Sequence, residues 1–360
     1  MSRTTARALG ALILGAILAA PLAVLAQQPA AKAAAPAPAP AAAAPAAAPT
    51  PPVPAKDSTA VPGWNKPPEQ WDIPSEKPQY ASIPGREKNV LIQAQGREWR
   101  EFRNGPVTNY GGWLIGIAFL AVMIFYFVKG TMPVHGAPTG KMIERFNAVE
   151  RASHWTLAIT FVILGLTGAG ILWGKYLVLP WLGYSGFSLV QTMGKNIHNF
   201  IGPLFIFSLL TTFLLYLKDN FFSHWDIEWF MSLGGWLKEV PSNKFNAGEK
   251  MVFWGGLVLL GAIVSTTGLI LDFPNWGQLR EFMQAANVIH AVAAIFFISM
   301  IIGHAYMGTL GLAGAYQSMR TGMVDETWAK EHHQLWYEDV KAGKRPEHFV
   351  ASATQPATGD

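Results

Sequence analysis

The chain has 360 residues, of which 51% are hydrophobic and 14% charged, and its formal net charge is +4. Soluble domains carry roughly 25% charged residues, so this composition favours an integral membrane protein over a soluble one. The basic residues lie in loops between apolar segments rather than on one face, which argues against nucleic-acid binding. The chain lacks cysteine, so a metal ligand has to be histidine, methionine or a carboxylate.

The N-terminal residues 1–26 have the layout of a cleavable secretory signal peptide. Arg3 and Arg7 precede an apolar run, and the small residues Ala23 and Ala26 mark a cleavage site. An uncleaved membrane anchor is the alternative. Cleavage is favoured because the run is short and alanine-rich, and because a Pro/Ala tract follows it.

Residues 27–109 are predicted to be a Pro/Ala-rich linker and a polar periplasmic segment, in which 89–103 forms a short amphipathic helix. Five apolar segments follow, each near the roughly 20 residues that a membrane-spanning helix needs. They are 110–128, 155–173, 199–217, 251–271 and 287–312. The predicted fold is an all-α integral membrane bundle. A four-helix core at 141–318 follows one extra N-terminal transmembrane helix at 110–128 and precedes a tail at 319–360. Residues 226–240 are expected to lie as a helix in the membrane interface.

The basic residues of the loops predict the orientation of the chain. Loops 129–153 and 218–250 and the tail are rich in Lys and Arg, whereas the two other loops hold only Lys175, Lys195 and Arg280. Basic loops stay in the cytoplasm. We therefore expect a multi-pass protein of the bacterial inner membrane that lies in the lipid bilayer, with a cytoplasmic C-terminus and a periplasmic mature N-terminus.

Two histidines of the last apolar segment predict cofactor binding. His290 and His304 are fourteen residues apart, which places both on one helix face, roughly 21 Å apart along the axis. By depth, His304 pairs with His154 at the cytoplasmic side (the inner pair), and His290 pairs with His198 at the outer side (the outer pair). Two stacked pairs in a helical bundle are typical of two b-type haems. The alternative is that each histidine snorkels or hydrogen-bonds a carbonyl group.

Other polar residues give weaker signals. His332 and His333 are adjacent in the tail, and adjacent helical residues do not share a face, so no metal site is expected there. Arg151 and Lys195 are placed to meet haem propionates or are simple loop charges. The turn at 242–250 either binds a quinone headgroup through Asn246 and Lys250 or is an ordinary helix start with Asn246 as its cap.

From about residue 141 to residue 333, the sequence resembles the cytochrome b (gamma) subunit of respiratory, membrane-bound formate dehydrogenases. The resemblance rests on the segments ERFNAVERASHW, KNIHNFIGPLF, KFNAGEK and WAKEHHQLW. It also rests on NVIHA and HAYMG, whose histidines are fourteen residues apart. It implies two haem b groups, an inner one held by His154 and His304 and an outer one held by His198 and His290. It also implies a quinone site at Asn246, Gly248, Lys250 and His304.

The same resemblance implies partners and a direction of electron flow. Electrons come from an iron–sulfur beta subunit, which is fed by a molybdenum or tungsten formate-oxidising alpha subunit. They pass through the haems to the quinone pool, with menaquinone or ubiquinone as acceptor. The chain itself is then a non-catalytic electron-transfer subunit of an oxidoreductase complex. The N-terminal extension departs from the short members of this family, which begin just before the first histidine-bearing span.

Two other functions fit the sequence. A cytochrome b subunit of a nickel–iron hydrogenase or a thiosulfate reductase has a similar haem scaffold. A transporter or a membrane scaffold without haem would use the histidines for packing or proton relay. Transporters favour internal repeats, and we expect no convincing repeat in this sequence.

Overall fold

The computed structural model describes residues 95–234 and 240–350. The predicted signal peptide and nearly all of the linker lie outside the described residues. Within the described part, five helical segments are long and apolar enough to cross a membrane, which confirms the predicted helical membrane bundle. They are Gly96–Lys129, Ala148–Leu177, Leu179–Asp219, Ala247–Asp272 and Arg280–Gly311.

The first spanning segment is longer than the sequence predicts. Helix α1 (Gln95–Phe102) continues through a π-helical turn (Arg103–Val107) into helix α2 (Thr108–Lys129) without leaving helical backbone angles. The amphipathic stretch is therefore an extension of the span and not a separate surface helix. Helix α2 leaves most of its apolar side chains exposed, as a lipid-facing helix does.

The second and third spans also start before their predicted bounds. Helix α3 runs over Ala148–Leu177 and helix α4 over Leu179–Tyr216, followed by a short 3-10 turn at Leu217–Asp219. Helix α4 is kinked at Gly183, whose φ of 63° lies in the region that favours glycine. Because of these early starts, His154 lies inside α3 and His198 inside α4.

The last two spans contain π-helical segments. The fourth consists of α6 (Ala247–Met251), a π-helical stretch (Val252–Leu260) and α7 (Gly261–Asp272). The fifth is α8 (Arg280–Tyr306), which ends in a π-helical turn (Met307–Gly311). Buried aromatic and leucine side chains from α4, α8 and the fourth span form the main apolar core together with Phe146, Tyr216 and Phe245.

The tail contains a small folded unit that the sequence did not predict. Strand β1 (Met142–Glu144) lies between β2 (Met323–Asp325) and β3 (Phe349–Val350), and both pairings are antiparallel. Around this sheet lie α9 (Ala315–Thr321), α10 (Glu326–His332) and α11 (Gln334–Lys341). Its own apolar cluster consists of Ile143, Val324, Trp328, Ala329, Trp336, Tyr337 and Val340.

The interface helix is shorter than expected. Helix α5 covers His224–Met231 and the described residues 232–234 form a turn, whereas residues 235–239 of the predicted 226–240 helix lie outside the described part. Asp226 closes its first turn by accepting a hydrogen bond from the Ser223 backbone N–H.

Candidate functional site

The four candidate histidines form two pairs. The imidazole ring centroids of His154 and His304 are 6.2 Å apart, and those of His198 and His290 are 6.1 Å apart. Helix α8 contributes one ring to each pair. The inner pair takes its second ring from α3 and the outer pair takes it from α4. The structure thus brings together the residues that were paired by depth.

Both separations fit a metal ion held between two imidazoles. An imidazole nitrogen binds a metal at about 2.0–2.1 Å. With each ring centroid roughly 1.1 Å behind its nitrogen, two rings on opposite sides of one metal have centroids about 6.3 Å apart. The observed separations agree with this value, so the residues present suit an axially ligated haem iron.

Threonine hydroxyl groups orient both rings of the outer pair. Thr167 Oγ1 lies 2.7 Å from the Ile163 carbonyl oxygen and 2.8 Å from His198 Nδ1. Because the hydroxyl donates its hydrogen to the carbonyl, we assign Nδ1–H of the imidazole as the donor to Oγ1. This tautomer leaves Nε2 free to bind a metal, and such an outer hydrogen bond is usual for metal-binding histidines.

The second ring of the outer pair has the same arrangement. Thr267 Oγ1 lies 2.6 Å from the Ile263 carbonyl oxygen and 3.0 Å from His290 Nδ1. A glycine follows each threonine, and a Cβ at Gly168 or Gly268 would lie 3.3 or 3.4 Å from Cε1 of the neighbouring ring. The sequence analysis missed both threonines. The signal that could have found them is the Thr-Gly dipeptide that recurs after one hundred residues.

A cavity of about 1600 Å³, including its open mouth, surrounds the outer pair. Its walls are mostly apolar and include Gly165, Gly202 and Ala294, which leave room for a flat ring. The charged side chains that line the cavity are Arg103, Lys195 and Asp272. A mostly apolar cavity with a few charged side chains in its lining has the character of a cofactor site.

The inner pair has different surroundings. Nδ1 of His154 is buried and has no hydrogen-bond partner among the described residues. The indole ring of Trp155 lies edge-on to the His154 ring at 5.6 Å, and its Nε1 donates to the Met319 carbonyl oxygen. The fourth span reaches α8 near this pair, because a Cβ at Gly255 would lie 3.4 Å from the Met300 side chain, one turn before His304.

The predicted quinone turn begins the fourth span. Asn246 caps α6 by accepting a hydrogen bond from the Glu249 backbone N–H, and the Glu249 carboxylate accepts one from the Asn246 N–H. The Lys250 ammonium is buried and lies 2.7 Å from the Asp226 carboxylate. Gly248 lies beneath Trp229 of α5, since a Cβ there would come within 2.9 Å of the indole. The turn is thus rigid, and Lys250 is already paired.

Buried charges join this turn to α3. Arg145 Nη2 lies 3.0 Å from Glu249, and Lys244 Nζ lies 3.0 Å from Glu150. Lys244 also lies 3.0 Å from Glu347 of the tail. Arg151, which was predicted either to meet a propionate or to be a simple loop charge, donates to the Arg320 carbonyl oxygen.

From these contacts we infer an internal repeat, which the sequence analysis did not predict. Residues 145–150 read RFNAVE and residues 244–249 read KFNAGE. Each asparagine caps its helix in the same way, and each basic residue pairs with the glutamate of the other copy. The copies also share the threonines that support the outer pair. The identity between the two segments is confined to the Phe, Asn, Ala and Glu that they share, so the sequence pattern of the repeat is short.

The tail histidine His333, for which the sequence predicted only that it does not form a metal site with His332, is buried. Its Nδ1 lies 2.7 Å from the Asn243 carbonyl oxygen, and its Nε2 lies 4.0 Å from the Glu249 carboxylate. Burial, followed by the nearby Arg145 guanidinium, lowers the pKa of His333 to about 3. His333 is therefore neutral at ordinary pH and fastens the tail to the turn.

A helical membrane bundle with imidazole pairs at two depths defines a membrane cytochrome of the b type. The family model of the prokaryotic cytochrome b561 matches residues 145–322, which include all four histidines.

The chain is also similar to curated relatives. It is 31% identical over 208 residues to the cytochrome b556(Fdn) subunit of the nitrate-inducible formate dehydrogenase of Escherichia coli strain K12, covering 56% of this chain and 93% of the relative. It is 29% identical over 209 residues to the cytochrome b556(fdo) subunit of the same organism, covering 55% and 93%. The Haemophilus influenzae cytochrome b556 subunit is 28% identical over 219 residues, covering 58% and 87%. The chain belongs to this family of formate dehydrogenase cytochrome b subunits, and a cytochrome b implies haem b.

Proposed function

We propose that this chain carries electrons from the formate-oxidising part of a formate dehydrogenase complex to a membrane quinone, through two haem b groups. The observation that carries the proposal is the presence of two imidazole pairs with metal-bridging separations on one shared helix. When bound, each haem supplies a one-electron redox centre, and the two pairs lie roughly 21 Å apart along α8. In this proposal His198 and His290 hold the outer haem, and His154 and His304 hold the inner haem.

The curated relatives, which are named as formate dehydrogenase subunits, support the partner assignment. The chain assembles with an iron–sulfur subunit and with a molybdenum or tungsten subunit that oxidises formate. It lies in the bacterial inner membrane with its tail in the cytoplasm. The basic loops on the tail side support this orientation.

The quinone, menaquinone or ubiquinone, binds beside the inner pair at the turn of Asn246 and Gly248. The first backbone N–H groups of a helix have no intrahelical partner. Since the cap takes that of Glu249, the N–H groups of Ala247 and Gly248 are the suitable donors to a quinone carbonyl oxygen. The side-chain oxygen of Asn246 serves the cap, which leaves its amide nitrogen for the headgroup. Lys250 is paired with Asp226, so its role is to hold the turn rather than to contact the quinone. His304 closes the site from α8.

Haem stoichiometry tests the proposal. We expect the pyridine haemochrome of the purified chain to show two haem b per polypeptide, and formate to reduce both in the intact complex. A chain without haem b would overturn the cytochrome function, and one haem per chain would overturn the assignment of two sites. Co-purification of a nickel–iron subunit instead of a molybdenum or tungsten subunit would indicate the hydrogenase alternative.

A further inference from the structure

An arginine from the N-terminal extension lines the cavity of the outer pair. Arg103 lies in the π-helical turn between α1 and α2, ahead of the residues that the family model matches. Its Nε donates to Asn287 Oδ1 of α8 at 3.1 Å, and its Nη1 donates to Asn104 Oδ1 at 2.9 Å. The same cavity is lined by His198 and His290.

The guanidinium has no acidic partner in the described part of the chain, where no carboxylate oxygen lies within 4.0 Å of it. Both of its hydrogen-bond acceptors are neutral amides, and the residue is half-buried. A cation that is withdrawn from water without a counter-charge lowers stability unless an anion binds beside it. Lys195 also lines the cavity and, among the described residues, donates to the Asn199 amide at 3.3 Å, while Asp272 supplies one negative charge. The cavity lining thus has more positive than negative charge.

The internal repeat explains why the cation comes from the extension. Lys195 lies three residues before His198, and Asn287 lies three residues before His290, so the two are equivalent positions around the outer pair. The first copy therefore has a cation at this position and the second has a neutral amide. Arg103 binds that amide and places a positive charge where the second copy lacks one.

Arg103 is held in place by the packing of the extension on the bundle. The Thr108 hydroxyl donates to the Arg103 carbonyl oxygen at 2.8 Å, and Trp173 Nε1 of α3 donates to the Thr108 carbonyl oxygen at 2.9 Å. Gly111 of α2 lies against Ile295 of α8, where a Cβ would overlap the isoleucine side chain. The turn that carries the guanidinium is therefore fixed to both α3 and α8.

We propose that Arg103 binds a propionate carboxylate of the outer haem, opposite Lys195, so that the extra N-terminal helix completes the outer haem site. The inference rests on the proposed function, because it requires a haem between His198 and His290. The planar guanidinium suits a carboxylate, and haem carries two carboxylates at one edge. A nearby positive charge favours the reduced over the oxidised haem and thus raises its midpoint potential.

The test compares Arg103→Gln, Arg103→Lys and Arg100→Gln in the purified complex. Arg100 is an exposed arginine on α1 and does not line the cavity of the outer pair, so it is a matched control. The outer haem is identified as the haem that remains in a His304→Ala variant. Redox titration followed by optical absorbance measures the two midpoint potentials, and redox-difference infrared spectra report the propionate carboxylates.

We expect Arg103→Gln to lower the outer midpoint potential, to leave the inner one unchanged and to shift the carboxylate bands. Arg103→Lys should keep the midpoint potential of the outer haem close to the wild-type value, and Arg100→Gln should behave as wild type. An Arg103→Gln complex with both haems, an unchanged outer potential and unchanged bands would overturn the inference while leaving the proposed function intact. If the Arg103→Gln complex does not assemble, the Arg103→Lys complex is the deciding test. Shifted carboxylate bands in that variant would support the contact between residue 103 and the propionate, and unchanged bands would overturn it. Absence of haem from wild type would overturn both proposals.

Discussion

The outer and inner histidine pairs have nearly the same ring separation but different supports. In the outer pair, a threonine on α3 and a threonine on α7 orient the two rings, and the histidines occupy equivalent positions of the two repeat copies. In the inner pair, Nδ1 of His154 has no partner among the described residues, and its counterpart in the second copy is the core residue Phe253. The outer pair is symmetric, whereas the inner pair takes its histidines from non-equivalent positions, His154 on α3 of the first copy and His304 on α8 of the second.

This difference has a functional consequence. Because Phe253 stands in the fourth span where α3 has His154, the fourth span contributes no imidazole at the inner depth, and its capped turn at Asn246 remains for another ligand. The buried charges of both copies also meet at this end of the bundle. In the function proposed above, the symmetric outer pair is the electron-entry site and the inner pair lies next to the proposed quinone site.

The largest expected effect separates the two pairs by function. His304→Ala should remove the inner haem and stop quinone reduction, while formate still reduces the haem that remains. His290→Ala should remove the outer haem and stop the reduction of the inner haem by formate. Haem content and formate-driven absorbance changes measure both outcomes. The exposed His224 is the control, since His224→Ala should retain both haems. Loss of the same haem in both variants would contradict the pairing.

Substitution of Lys244, the buried lysine at the inner end of the bundle, should have the next largest effect, which is a loss of stability. Lys244→Met leaves Glu150 and Glu347 without their shared cation, and breaking such a buried pair costs about 3–5 kcal/mol. Thermal unfolding of the solubilised protein, followed through the haem absorbance, measures the loss. Lys344 pairs with Asp339 at the surface, so Lys344→Met should cost less than about 1 kcal/mol. Equal effects of the two substitutions would show that the buried cluster does not stabilise the tail.

The threonines should have a smaller effect that is confined to the outer pair. Thr167→Val or Thr267→Val removes the acceptor for a histidine Nδ1–H, and the loss of such a support weakens metal binding about 10–100-fold. Competition with an apo-haemoprotein measures the rate at which haem is lost. Thr167→Ser and Thr267→Ser keep the hydroxyl group and should behave nearly as wild type. If a valine variant increased the rate of haem loss equally at the inner pair, the threonines would not act specifically on the outer pair.

The smallest effect concerns pH at the tail. Because His333 has a pKa of about 3 when folded and near 6.5 when unfolded, the unfolded tail binds more protons between these values. The contribution of neutral His333 to the stability of the folded tail is complete above pH 6.5. It falls as the pH decreases towards 3, by about 2 kcal/mol at pH 5. Limited proteolysis of the tail at pH 7.5 and pH 5 checks this. His333→Gln should make the cleavage rate nearly independent of pH, and an unchanged dependence would mean that another group titrates.

Much of the bundle can be predicted from local sequence, because a lipid-exposed span has to be apolar and about 20 residues long. The placement of His290 and His304 on one face of the same helix follows from helix periodicity alone. The folded tail could not be predicted in this way. Trp328 and Trp336 are buried only because β1, which lies before α3, pairs with strands from the tail. Contacts between such distant segments leave no local pattern.

The sequence by itself determined the helical membrane fold, the five spans and the four histidines at two depths, because hydrophobic length and helical period act over neighbouring residues. Only the tertiary structure decided which groups support those histidines. The two threonines and Arg103 reach their partners across helix interfaces. It also decided that Lys250 pairs with Asp226 and that His333 is buried, since burial and ion pairing depend on how distant helices pack.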